Sequence, residues 1–230
     1  MNYVEAIKRP FSDFTKFLIG FVFLVIPIVN ILTGFFVRGY QLECGKTAMK
    51  KKYTLPEWTS FLRLFLNGLL AAIISLIYLI PFIIFLVISL GSILLEIIKN
   101  PTQITEELVL NSVSSFTIPG LIITLLFFVL GLYLIPIALM NFINKNEFKD
   151  AFNLTTIFKK AFTGKYFLTI LFIIAYAIAV YVISSIITSI FTLFSPELII
   201  LIINNILAAL TSFIIGVTAI TLIGEAYPKL

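Results

Sequence analysis

Residues Tyr166 to Phe194 read YFLTILFIIAYAIAVYVISSIITSIFTLF. No side chain in this stretch is charged, and it is longer than the roughly 20 apolar residues a helix needs to cross a bilayer core. Ser195-Pro196-Glu197 follows, and then a second charge-free run from Leu198 to Ile223. Serine is a good N-cap, proline suits the first helical position, and an acid is favourable at the positive helix end. The two runs therefore predict a pair of membrane helices joined by a tight turn.

Three more charge-free runs lie upstream, at Phe17 to Val37, Leu64 to Leu95 and Ile118 to Ile143. The fold class is an all-α polytopic membrane bundle. Four runs read as full crossings. The first is interrupted at Ile26-Pro27-Ile28-Val29-Asn30. Proline there removes a backbone hydrogen bond, and Asn30 is a candidate to satisfy the freed groups. A re-entrant hairpin is expected for this run, with a fifth crossing as the alternative.

The 230 residues are 60% hydrophobic and 12% charged, with no histidine and one cysteine. Soluble domains carry about 25% charged residues, so residues 1–230 are expected to form a single membrane domain. The missing histidine removes the commonest general base and metal ligand. Cys44 cannot pair within the chain; it is juxtamembrane, a place for reversible acylation, but it reads better as a bland small residue. No nucleotide-binding loop, nucleophile elbow or metal-ligand set is present. Neither catalysis nor a cofactor is expected.

Lysine and arginine concentrate in two segments. Arg38, Lys46, Lys50, Lys51, Lys52 and Arg63 lie between the first two runs, and Lys145, Lys149, Lys159, Lys160 and Lys165 between the third and fourth. The loop between runs two and three has only Lys99, and the turn between runs four and five has none. The positive-inside rule puts the basic segments and the C-terminus in the cytoplasm of a multi-pass cell-membrane protein. The net charge of +5 then suits anionic lipid headgroups, before nucleic acid.

A weak threefold repeat runs through the chain, with boundaries near 1–52, 53–149 and 150–230. Phe11-Ser12-Asp13-Phe14-Thr15-Lys16, Trp58-Thr59-Ser60-Phe61-Leu62-Arg63 and Leu154-Thr155-Thr156-Ile157-Phe158-Lys159 share one pattern before a hydrophobic run. Their apolar residues recur at helical spacing, as in helices lying in the headgroup plane. For the second segment, the wet first turns of the next helix are an equal reading. Thr54 with Glu57 reads as a capping box, and Thr102 as the start of a short amphipathic helix. Expected headgroup contacts are Lys8, Arg9, Lys16, Lys50, Lys51, Lys52, Arg63, Lys159 and Lys160.

Asn30, Asn67, Tyr78, Asn141, Asn204 and Asn205 are the main large polar side chains at membrane depth. Hydrogen bonding between helices is the plain reading; a polar site built from Asn30, Asn141, Asn204 and Asn205 is the sharper one. Ala208, Ser212 and Gly216 form a small-residue stripe expected to pack within the last hairpin, or else against a second copy.

Ile26-Pro27-Ile28-Val29-Asn30, Gly39-Tyr40, Leu55-Pro56-Glu57-Trp58, then Phe65, Gly68, Tyr78 and Pro81, and finally Gly224-Glu225-Ala226-Tyr227 resemble a membrane family of archaea and bacteria, the domain of unknown function 4013. The resemblance implies a prokaryotic plasma membrane and assigns no activity, substrate or cofactor. The expectation is a non-enzymatic scaffold whose partners are membrane lipids and a second copy or another membrane protein. A small transporter or channel for an uncharged solute or a lipid is the alternative.

Overall fold

A computed structural model describes residues 1–26, 30–99, 117–193 and 196–230. All regular structure among them is helical. The long helices are α4 (Phe61–Lys99), α5 (Thr117–Lys145), α7 (Gly164–Thr192) and α8 (Glu197–Ala226). The stretches long and apolar enough to cross a membrane are Phe61–Ile88 in α4, Gly120–Lys145 in α5, Gly164–Thr192, which is α7 itself, and Glu197–Lys229, which is α8 with the 3-10 turn after it. At about 1.5 Å per residue these exceed a hydrocarbon core of about 30 Å. Pro81 and Pro136 lie inside continuous α4 and α5.

The first apolar run is not one helix. It forms α2 (Phe14–Val25) and the start of α3 (Asn30–Met49). The 12 residues of α2 reach only about 18 Å, too short to span. Contacts with α8 give the directions. Asn205 meets Val25, and Phe213 meets Phe17, so α2 runs against α8. Tyr40 lies near Phe213 and Gly45 near Ile220, so α3 runs along α8. The pair is thus an antiparallel hairpin with both outer ends toward the C-terminus of α8, the arrangement expected of a re-entrant segment. Pro27 lies outside the described residues. Before it, the carbonyls at the end of α2 have partners: Thr33 Oγ1 donates to Phe23 O, and the Asn205 side-chain amide donates to Val25 O. Asn205 thus fills the role the sequence suggested for Asn30, whose side chain is outside the described residues.

The chain packs as two compact units, Met1–Ala72 with Pro136–Leu230, and Ile73–Ile135. In the smaller unit α4 and α5 pair antiparallel through Phe82 with Phe128 and Phe85 with Phe127, and Gly131 lies against Tyr78 and Leu79. In the larger unit α7 and α8 form the expected hairpin; the Ser195 cap lies outside the described residues, as does Thr102. Close backbone approach sets the α3–α4 crossing. A Cβ on Gly39 would sit 1.9 Å from Leu64 O, and one on Gly68 1.8 Å from Phe35 O.

Three antiparallel helix pairs therefore follow one another, α2/α3, α4/α5 and α7/α8. The segments that precede them differ. The first forms a short helix α1 (Tyr3–Lys8), a 3-10 turn and the start of α2, which Asp13 caps through the Lys16 N–H. The third forms a separate helix α6 (Leu154–Ala161), capped by Asn153, before Thr163 caps α7. The second is not helical before Phe61, so Thr54 and Glu57 form no capping box. Its polar groups bond elsewhere. Tyr40 donates to Pro56 O, Leu55 N–H to Ser12, and the Trp58 indole to Lys16 O. The Trp58 ring stacks on Tyr40 with centroids 3.8 Å apart. Tertiary contacts override the local helical pattern there.

Candidate functional site

The polar chemistry of the larger unit collects around the C-terminal half of α8, which is buried at Val217 and Thr218 and from Thr221 through Ala226. Helices α1, α2 and α3 surround it. Gly224 lies against the Gly45 backbone, where an added Cβ would be 2.3 Å from Gly45 O.

Arg9 sits at the centre and is 1% exposed. It donates to Cys44 O at 2.7 Å, Thr221 Oγ1 at 3.0 Å, Thr54 O at 3.1 Å and Thr47 Oγ1. All four acceptors are neutral. A buried cation is costly without such bonds, and burial holds the guanidinium below its usual pKa. Arg9 therefore joins the N-terminal segment, α3, the following loop and α8. This corrects its assignment as a headgroup contact: its partners lie inside the protein. Cys44 is fully buried beside it, and burial pushes its thiol up to about 12. It packs as a core residue and presents no accessible sulfur for acylation.

One turn on, Glu225 is also buried. It accepts from the Asn2 N–H at 2.9 Å, Lys229 at 2.9 Å and the Tyr53 hydroxyl. Burial, and then the bond to Glu225, pushes the Tyr53 phenol up to about 12. Nearby, Asn141 is buried and donates to Asp150 O at 2.6 Å while accepting from the Tyr227 hydroxyl. Lys145 pairs with Asp150 at 3.0 Å. Lys160 donates to Tyr227 O at 2.7 Å and lies over the Tyr227 ring.

A third group lies at the start of α2. Lys16 pairs with Glu57 at 2.7 Å and Asp13 at 3.1 Å and donates to Leu55 O. The Glu57 hydrogen bond, then that of Asp13, holds Lys16 above its usual pKa. The Lys16 backbone and then its ammonium hold Asp13 below its own. Asp13, Lys16 and Glu57, with Thr15, Ile19 and Trp58, line an open cleft of about 380 Å³.

The other expected residues are dispersed. Asn204 is exposed and accepts from Thr188 at 3.0 Å; Asn205 bonds the end of α2; Asn67 is half-buried. Of the expected headgroup cations, Lys8, Lys50, Lys51, Lys52, Arg63 and Lys159 are exposed, whereas Lys16 and Lys160 are tied to internal partners. Ala208 and Ser212 are exposed, and Gly216 packs on Gln41 of α3. The stripe is therefore not buried within the α7/α8 hairpin. The role of Glu225 as a buried hub was missed by the sequence reading. The closing Gly224-Glu225-Ala226-Tyr227 carried the only hint, an acid set among apolar residues.

Among the described residues, no three metal-ligating side chains of His, Cys, Asp or Glu come together. Buried Arg9 and Glu225 are instead engaged by backbone groups, hydroxyls and Lys229.

A family model described as "Protein of unknown function (DUF4013)" matches residues 19–189. No curated protein and no solved structure matches the chain.

Proposed function

We propose, for a chain that belongs to the DUF4013 family, a non-enzymatic role as a polytopic membrane scaffold. Its basic end would seat on anionic headgroups and hold lipid or a partner protein there. The observation that carries this reading is the pairing of exposed cations with exposed apolar side chains on short elements. On α6, Leu154 and Phe158 are exposed at four-residue spacing, Phe162 continues the line, and Lys159 lies beside them. The same helix buries Ile157 and Ala161. Near the N-terminus, exposed Phe11 and Phe14 follow exposed Lys8. Lys50, Lys51 and Lys52 form an exposed loop, with Lys51 at φ 58°. Apolar side chains beside lysines favour the interfacial plane, and each cation near an anionic surface adds about 1 kcal/mol.

The positive-inside rule makes this side cytoplasmic, in a cell membrane. The transport reading would need Asn30, Asn141, Asn204 and Asn205 around one cavity. The three whose side chains are described hydrogen-bond to three different parts of the chain, which supports a closed bundle.

The test is lipid retention by protein reconstituted in nanodiscs of mixed phosphatidylglycerol and phosphatidylcholine. Native mass spectrometry should find phosphatidylglycerol retained preferentially. The combined Lys50→Gln, Lys51→Gln, Lys52→Gln and Lys159→Gln variant should lose most of that preference. Equal retention of both lipids by the unmodified protein would overturn the reading. Solute uptake into proteoliposomes that Asn204→Leu abolishes would favour transport instead.

A further inference from the structure

The α7/α8 hairpin carries a polar face where a lone chain would meet lipid. On α7, Tyr181, Ser185, Thr188 and Thr192 recur at spacings of four and three, which places them on one stripe. On α8, Leu201, Asn204, Ala208 and Ser212 do the same. Thr188 Oγ1 donates to Asn204 Oδ1 at 3.0 Å, so the two stripes adjoin. Thr188 is half-buried, and the other residues of both stripes are exposed. Exposed Ile178 on α7 and Leu198 on α8 extend them at helical spacing.

Both stripes lie within helices that are membrane-spanning by length and composition. Lipid tails offer no hydrogen-bond acceptor, and an unsatisfied polar group there costs several kcal/mol. Within the described residues, the Asn204 side-chain nitrogen has no acceptor, and its oxygen is already engaged by Thr188. Tyr181 is 58% exposed, and no described residue bonds its hydroxyl.

We propose that this face is covered by a second copy of the chain, through a two-fold contact between α7/α8 hairpins. The face is complementary to itself. Asn204 offers donors and an acceptor, the serine and tyrosine hydroxyls offer both, and no charge has to be matched. A two-fold axis sets the same patch against itself. Ala208 and Ser212, one and two turns along α8, have side chains small enough to let the backbones approach. Asn204 lies seven residues, about 10 Å of helix, in from Glu197, with exposed Leu198, Leu201 and Ile202 between them. The proposal is independent of the headgroup reading, because it concerns neutral residues at membrane depth.

Cysteine crosslinking in native membranes tests it. Cys44 is buried and serves as a silent background. Ala208→Cys should give a disulfide-linked species of twice the chain's mass on mild oxidation. Ile183→Cys, 59% exposed on another face of α7, should stay monomeric. Adding Asn204→Leu to Ala208→Cys should cut the crosslink at least tenfold. Should that variant fold poorly, Ser212→Phe at an exposed position should do the same by bulk. The proposal fails if Ala208→Cys remains a monomer, if it joins a different protein, or if Ile183→Cys crosslinks equally well. A single-chain mass for the unmodified protein in nanodiscs would also overturn it.

Discussion

A buried guanidinium with no carboxylate at hand must be held by neutral groups, and Arg9 is held by four of them. Removing it takes the donor from Thr221 Oγ1 and Thr54 O, while Cys44 O and Thr47 Oγ1 keep each other. Each stranded buried group costs about 1–3 kcal/mol, and partial repair by water reduces the sum. Arg9→Met should therefore destabilise the protein by about 3 kcal/mol, read as a lower melting temperature in detergent. Arg9→Lys should recover only part of this, because an ammonium lacks the planar fork. Full stability in Arg9→Met would refute the keystone role. Asp13 gives a pH-dependent test at the same scale. Its folded pKa lies below its unfolded value near 3.9, so the unfolded chain takes up the proton first. Its contribution is present above that value and lost as pH falls through the folded pKa. The gap in melting temperature between the unmodified protein and Asp13→Asn should narrow as the pH falls from 7 to 3. A gap of the same size at pH 7 and pH 3 would assign the effect to something other than this carboxylate.

Glycines locate the tightest helix contacts, and their neighbours predict opposite outcomes for one substitution. At Gly39 and Gly68 a methyl group would meet a backbone carbonyl of the facing helix at under 2 Å. Backbone cannot rotate away, so Gly68→Ala should force α3 and α4 apart and cost roughly 1–3 kcal/mol or more. Gly34 lies in the same helix as Gly39 and has nothing within 4 Å of a built Cβ. There alanine should be neutral or add about 0.5–1 kcal/mol by stiffening the unfolded chain. Thermal melts of both variants check the contrast; equal effects would mean the crossing is not as close as described. Sequence pattern located these elements without ranking their glycines. Gly34, Gly39 and Gly68 all lie in or beside apolar runs, and only the facing backbone separates them.

Over the larger unit, the hairpin directions fix which positions share a side. The outer ends of α2 and α3 lie with the C-terminus of α8, while Pro196 precedes its opposite end. Cysteines at Lys50 and Lys159 should react with a membrane-impermeant maleimide only from the cytoplasmic face, and one at Pro196 only from outside. Labelling of Lys50→Cys and Pro196→Cys from one side would break the re-entrant arrangement.

Run length and lack of charge are properties of contiguous residues, so the sequence alone determined the membrane helices, the α7/α8 turn and the side-to-side charge asymmetry. The break in the first run was legible for the same reason, because proline acts on its own backbone. The partners of that break were not: Asn205 caps Val25 from 180 residues away. Likewise, a lysine or arginine beside a hydrophobic run reads as a headgroup contact until the fold shows what packs over it. Tertiary structure alone decided that Arg9 turns inward while Lys8 stays outside, that Asn141 braces Tyr227, and that Asn204 faces out. Burial is set by elements far apart in the chain, and local pattern carries no record of them.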